Sequence, residues 1–282
     1  WPRIVPESAR WLSSRGRYWE AGQILRRIAK VNGKTCPEDV EERLRLDDHN
    51  HGPSYGFISL FIPPRTRLRI IIIIYMWSVL HMTYHGLHIN INSLGGNDFL
   101  NYLIFGAIEF PAYLMAWGSG RWCGWRWSQA FCFLLGGGAL LLVPAMPPGE
   151  YTTVVVLSVI GKFGISASYM IIYIQASELF PTGMRSTAIG LASIAGNLAY
   201  IIIPYVVALG RHKQSIPYVV FGTAAVVASV VSTFLPESSH EALPQTITDS
   251  EAFGKKQKFF AWNLTPWHEK TTHVDDGSIQ LN

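Results

Sequence analysis

Charge is nearly missing from the middle of this 282-residue sequence. Residues 70–235 hold six Lys/Arg and four Asp/Glu, whereas residues 1–69 hold 13 of the 23 basic and eight of the 19 acidic side chains. So long an apolar stretch cannot form one water-soluble core and needs lipid as its solvent. Cysteine is sparse as well: Cys36, Cys123 and Cys132 are scattered, without an even framework or ligand spacing, which argues against a disulfide scaffold and against zinc. No nucleophile–base spacing, glycine-rich phosphate loop or metal cluster stands in a fitting context, so no enzyme, catalytic residue, cofactor or metal is expected. A signal peptide is lacking and the first residue is Trp1, from which the chain is expected to be part of something longer. The net charge of +4 does not imply nucleic acid, because the basic residues are distributed as a membrane protein requires.

What is present is a series of apolar runs. A helix needs about 20 mostly apolar residues to cross roughly 30 Å of hydrocarbon. Six segments qualify, at about 69–91, 98–118, 128–147, 152–176, 187–209 and 215–235. Turn residues and charge separate them: Gly95-Gly96-Asn97-Asp98, Arg121 to Arg126, Pro147-Pro148-Gly149-Glu150, Pro181 to Arg185, and Arg211-His212-Lys213. Connections this short make the helices antiparallel neighbours in a bundle. Placing the N-terminal segment in the cytosol puts 20 of the 23 Lys/Arg on that side, so both termini of the chain are expected there. Residues 1–68 read as a cytosolic helical linker with amphipathic helices, 69–235 as the six-helix bundle, and 236–282 as a largely disordered cytosolic tail. A faint echo, Pro6-Glu7-Ser8 against Pro236-Glu237-Ser238, recurs six helices apart, as in a transporter built from two six-helix halves.

Several motifs carry a family resemblance. Pro6-Glu7-Ser8-Ala9-Arg10-Trp11-Leu12 with Gly16-Arg17 and Glu20-Ala21 resembles the signature after the sixth helix in the sugar-porter-like branch of the major facilitator superfamily. Tyr84-His85-Gly86-Leu87-His88-Ile89-Asn90, then Glu109-Phe110-Pro111-Ala112, and Gly161-Lys162-Phe163-Gly164 running to Glu178-Leu179-Phe180-Pro181-Thr182 and Arg185, are similar to the organic cation, organic anion and carnitine transporter family. The likeness covers about residues 6–252. It implies an all-α membrane protein, helices 7–12 of a twelve-helix major facilitator at the plasma membrane. That protein would move a small organic ion by alternating access, its partners being the lipid bilayer and a missing N-terminal six-helix half. Two other outcomes stay open: a sugar-porter-type hexose carrier, and a truncated fragment that does not transport. One departure concerns the loop between helices 8 and 9, where the family's Asp-Arg-x-Gly-Arg-Arg is Arg121-Trp122-Cys123-Gly124-Trp125-Arg126 here, so an acid-based latch at that place is in doubt.

Polar residues inside lipid point to the site. A charge at the centre of a span costs about 2.5–3.5 kcal/mol on insertion scales. Glu109 and Lys162 each lie about 10 or 11 residues into helices that start on the outer side, both roughly 15–17 Å deep. Equal depth makes them an expected ion pair, as a fixed brace or as a substrate contact. The expected substrate-binding set is Tyr84, His85, Glu109, Lys162, Met170, Tyr173 and Asn197. The resemblance places Asn197 where cation carriers tend to have Asp and anion or carnitine carriers Arg. Trp77, Tyr84, Tyr102, Tyr113, Tyr169 and Tyr173 could form a cation–π cage or an interfacial belt. His81, His85 and His88 share one helix face and suit a polar stripe in the cavity better than a metal site. Glu178, Arg185, Arg121 and Arg126, at the cytosolic rim, are the expected gating residues.

Overall fold

Apolar chain in lipid must close its own backbone hydrogen bonds, and helices do this within one segment. The computed structural model describes residues 7–50, 57–94, 96–147, 149–239, 244 and 247–254, and contains no strand among them. The chain divides into two compact units, Trp1–Ser59 and Leu60–Asn282.

The first unit holds α1 (Ala9–Ser14), α2 (Tyr18–Val31) and α3 (Val40–Asn50). Among its described residues, Leu12, Ala21 and Val40 are the buried apolar ones. Gly22 lies under Glu41, whose carboxylate pairs with Arg26 at 2.8 Å, so α2 and α3 meet through a small residue capped by an ion pair.

The second unit is a helical bundle. Its helices are α4 (Pro64–Ile89), α5 (Asp98–Ala107), α6 (Glu109–Cys123), α7 (Trp125–Leu142), α8 (Tyr151–Leu179), α9 (Thr182–Tyr200), α10 (Ile203–Leu209), α11 (Ile216–Ser232) and the short α12 (Ile247–Ala252). Five stretches are long and apolar enough to cross a membrane: Pro64–Ile89, Asp98–Cys123, Trp125–Ala145, Tyr151–Leu179 and Met184–Leu209. A sixth apolar helix, Ile216–Ser232, has 17 residues, the lower limit for a span. The first of these begins at Pro64, five residues before the start read from hydropathy, because proline suits the first helical turn, where its missing N–H has no acceptor to lose. Within the segment expected to be a disordered tail, residues 247–252 are helical. The tail from 255 onward, and the linker at 51–56, lie outside the described residues.

Proline also explains two interruptions. Pro111 cannot donate to the carbonyl of Ala107, and the helix breaks between Ala107 and Glu109. Pro204 leaves the carbonyl of Tyr200 in the same position, and α9 gives way to α10 there. Close packing is set by glycine: a Cβ on Gly164 of α8 would lie 2.6 Å from the Cys132 carbonyl oxygen and the Gly136 nitrogen of α7, and one on Gly137 would lie 2.8 Å from the Gly222 carbonyl of α11. Helices α7, α8 and α11 therefore touch backbone to backbone, as small residues allow in membranes. Helix α4 packs on α9, α11 and α8, and α6 packs on α8. That last contact positions the site.

Candidate functional site

Helices α5–α6 and α8 deliver opposite charges to one level. Glu109 is eleven residues beyond Asp98, and Lys162 eleven beyond Tyr151, so both sit roughly 17 Å from their helix starts at about 1.5 Å per residue. Lys162 Nζ lies 2.8 Å from Glu109 Oε1, with side-chain exposures of 0% and 22%, respectively. The cation is wholly buried, while the anion keeps one open side. Nζ also stands 3.0 Å from the centre of the Tyr84 ring. The Tyr84 hydroxyl donates to Glu109 Oε1. One tyrosine from α4 thus serves both partners, its face to the ammonium and its hydroxyl to the carboxylate.

Histidines and further aromatics extend the wall. His88 Nδ1 is 3.3 Å from Lys162 Nζ and 3.0 Å from the Tyr84 carbonyl, accepting from the first in one tautomer or donating to the second in the other. His81 is more constrained. Its Nδ1 donates to the Trp77 carbonyl at 3.1 Å, which leaves Nε2 to accept from the Tyr169 hydroxyl at 3.2 Å. The rings then run on without a gap: Tyr84 to Tyr169 at 5.4 Å, Tyr169 to Tyr173 at 5.7 Å, and Tyr173 to Trp77 at 4.4 Å. His85 stacks edge-on against Tyr84 and Tyr200. Gly196 of α9 makes room for this wall, since a Cβ there would fall 2.7 Å from His81 Nδ1.

Tyr84, His85, Glu109, Lys162 and Tyr173 are therefore brought into one continuous surface. Met170 packs instead against Ala112, Ala116, Cys132, Ala167 and Ile171 between α6, α7 and α8. Asn197 is exposed on α9, one residue from Gly196. Among the described residues no three His, Cys, Asp or Glu are grouped to hold a metal ion.

The opposite end of the bundle carries a second polar cluster, which sequence reasoning described only in part. Arg121 lies over the Trp117 ring at 4.3 Å, and Arg126 over Trp127 at 5.3 Å. Arg185 keeps Nε and Nη2 buried without a hydrogen-bond partner among the described residues. The acid absent from the α6–α7 loop is supplied by Glu237. Its Oε1 accepts from the backbone N–H groups of Trp125 (2.9 Å), Ser238 (3.1 Å) and Ser239 (3.0 Å), and its Oε2 from that of Arg126 (3.1 Å). A carboxylate on free N–H groups at a helix start is favoured by both hydrogen bonding and the helix dipole. Gly124 is the matching element: its φ is 82°, and a Cβ would lie 2.7 Å from Glu237 Cδ. The available signal was the acid within Pro236-Glu237-Ser238, but the Trp125 N–H that it accepts from lies 112 residues away.

A bundle of apolar helices that encloses an ion pair and an aromatic wall defines a polytopic membrane protein. The chain belongs to the sugar (and other) transporter family, whose model matches residues 3–247. It is 36% identical over 257 residues to mouse solute carrier family 22 member 21, covering 89% of this chain and 46% of that protein. It is 35% identical over 246 residues to human organic cation/carnitine transporter 2, covering 86% of this chain and 44% of that protein. With the carcinine transporter of Drosophila melanogaster it shares 36% identity over 264 residues, covering 91% of this chain and 39% of that protein. The chain spans less than half the length of these curated relatives. Among solved structures it is similar to the major facilitator proton:xylose symporter XylE bound to 6-bromo-6-deoxy-D-glucose, with a TM-score of 0.57 at 21% identity, over 89% of this chain and 55% of that one. The fold is that of a six-helix half of a major facilitator, and the organic cation/carnitine resemblance read from the motifs is borne out by the relatives.

Proposed function

We propose that this chain forms one wall of an alternating-access carrier for small organic ions, and that it does so without bond chemistry or a cofactor. The observation that carries the reading is the Glu109–Lys162 pair at mid-depth, continuous with the Tyr84–Tyr169–Tyr173 surface, which buried Trp77 backs. Cation–π contact with an alkylammonium group contributes about 0.5–2 kcal/mol per ring, so a wall of such rings suits an organic cation or a zwitterion. Glu109, open on one side, can accept that cation while Lys162 holds the carboxylate in place. Sites in such carriers lie between two helical repeats, so the facing wall is assigned to a second six-helix half. The bias of Lys/Arg supports cytosolic termini for this chain, and the likeness to organic-ion carriers supports a plasma-membrane setting. Residues 1–68 would then be the linker between halves and 236–282 the cytosolic tail. Asn197 completes the substrate set from its margin, while Met170 stays in the core behind it, and Glu178, Arg185, Arg121 and Arg126 form the cytosolic gate, where Arg185 has donors left for a partner.

Uptake by the full-length protein in oocytes, measured with tetraethylammonium, carnitine, an organic anion and a hexose, tests this directly. Organic-ion uptake without hexose uptake is expected. Glu109→Lys with Lys162→Glu then separates brace from binding site. A pair that only braces should regain transport on reversal, whereas a pair that faces substrate should remain inactive for cations at normal surface abundance. Hexose uptake alone would overturn the reading.

A further inference from the structure

Histidine is the side chain whose charge changes between about pH 5 and 8, and α4 brings His81, His85 and His88 to one wall. Hydrogen bonding sets them apart. His81 donates from Nδ1 to the Trp77 carbonyl and accepts at Nε2 from the Tyr169 hydroxyl, so its neutral ring satisfies both neighbours. His88 has no such settled arrangement. Its Nδ1 stands 3.3 Å from Lys162 Nζ, which can only donate, and 3.0 Å from the Tyr84 carbonyl, which can only accept. A bare Nδ1 suits the lysine, and a protonated one suits the carbonyl. Both neighbours belong to the charged end of the wall, since Tyr84 also gives its ring to Lys162 and its hydroxyl to Glu109. Among the described residues, the titratable groups facing His88 are Tyr84 and His85 on its own helix, Glu109 on α6 and Lys162 on α8, while α5 presents the ring of Phe105.

A proton on Nδ1 changes what Lys162 does. With Nδ1 bare, the ammonium divides its donors between Glu109 Oε1 and the imidazole. Glu109 Oε2, 3.4 Å from the Tyr113 hydroxyl, is then left for an incoming cation. With Nδ1 protonated, Lys162 loses that acceptor and faces a second positive charge, which drives it harder onto the carboxylate. Charge counting gives the same answer. A monovalent cation beside neutral His88, or a proton on His88 with no cation bound, each adds one positive charge to the Glu109–Lys162 pair, whereas both together add two. Like charges in a half-buried site repel more than in water, because less solvent screens them. The exclusion is a difference between states, so it holds whatever fixed charge the facing wall adds.

Given the organic-cation reading above, on which this inference rests, we propose that His88 is a proton site and that the carrier exchanges one proton for each cation, the two occupying this wall in turn. The step balances. The substrate cation settles on Glu109 Oε2, the Nδ1 proton leaves to water, and Lys162 stays an ammonium and donates to the freed nitrogen. Linkage makes the effect mutual: a proton weakens cation binding by the same factor by which the cation weakens proton binding. Return of the wall without its cation then carries a proton the other way.

The test uses the purified full-length protein in liposomes that hold a pH dye, with the lumen one pH unit more acid than the outside. Potassium and valinomycin clamp the membrane potential at zero. Labelled tetraethylammonium is the probe, because it has no proton of its own through which an acid lumen could trap it. One-for-one exchange is expected to accumulate it about tenfold, the size of the proton gradient, while lumenal pH rises. His88→Asn sets a carbonyl where Nδ1 stood and cannot take a proton there, so it should lose both the accumulation and the pH change. If that variant does not fold, His88→Gln replaces it. If it folds without transporting, calorimetry in two buffers of different ionisation heat decides: tetraethylammonium should release a proton from the wild type and none from the variant. Entry only to the outside level in the wild type, with lumenal pH unmoved, overturns the exchange and leaves the carrier reading standing. Accumulation or proton release that persists without His88 overturns its assignment. Absence of uptake for every organic ion overturns the carrier reading and this inference together.

Discussion

Lys162 carries its charge with no side-chain exposure, and it does so because Glu109, the Tyr84 ring and His88 surround the ammonium on three sides. Removing one member of such a pair leaves the other buried and uncompensated, at about 3–5 kcal/mol. With the pair intact the wall has almost no net field, so substrate charge falls to residues around it. Asn197 is the one to examine: it is exposed, it follows the glycine packed on His81, and its amide adds hydrogen bonds but no charge. Asn197→Asp is expected to shift preference toward cations and Asn197→Arg toward anions, each by about tenfold, which is about 1.4 kcal/mol. Competition between labelled tetraethylammonium and an organic anion measures this. Unchanged preference in both variants would remove Asn197 from the path.

At the scale of elements, the turn between α6 and α7 depends on one distant acid. Glu237 satisfies the first N–H groups of α7, and Gly124 alone accommodates both the positive φ and the carboxylate beneath it. Glu237→Ala is expected to destabilise by about 1–2 kcal/mol, the usual range for a lost helix cap. Gly124→Ala should cost at least as much, adding left-handed strain to a clash. Gly106→Ala, where a Cβ would meet nothing within 4 Å, is the neutral control. Melting temperatures in detergent rank the three. This turn also marks where the sequence stopped being legible. Long apolar runs, prolines at 64, 111 and 204, and the equal depth of Glu109 and Lys162 are local features, and each could be read from the chain. Helix rotation is not local. Whether Met170 faces the aromatic wall or the α6–α7 core depends on which neighbour α8 packs against, and backbone contacts between glycines of different helices decide that. Glu237 was out of reach for the same reason, since its partners are joined to it only by the fold.

For the whole molecule, α12 fastens the end of the described chain to the start of the first membrane helix. Glu251 Oε1 accepts from the N–H groups of Arg65 (3.1 Å) and Thr66 (2.9 Å) and from the Thr66 hydroxyl (3.1 Å). Desolvation would raise the Glu251 pKa, but the three bonds, with Arg69 nearby, hold it below its ordinary value. A depressed folded value means that the tie contributes fully above the unfolded glutamate pKa of about 4.3 and is lost as pH falls through the folded one. Protection at the Arg65 and Thr66 amides, taken as intrinsic over observed exchange rate, should therefore be high at neutral pH and fall on acidification, and Glu251→Gln should lower it already at neutral pH. Protection that is indifferent to both would refute the tie. The Glu109–Lys162 pair, finally, constrains how the molecule is born. The ribosome makes α4 and α6 before α8, so Glu109 can meet the Tyr84 hydroxyl but waits for its cation while α7 is threaded. Lys162 arrives 53 residues later and can settle only where that acid already stands. A chain in which the two fail to meet leaves an unpaired charge in lipid, at about 2.5–3.5 kcal/mol.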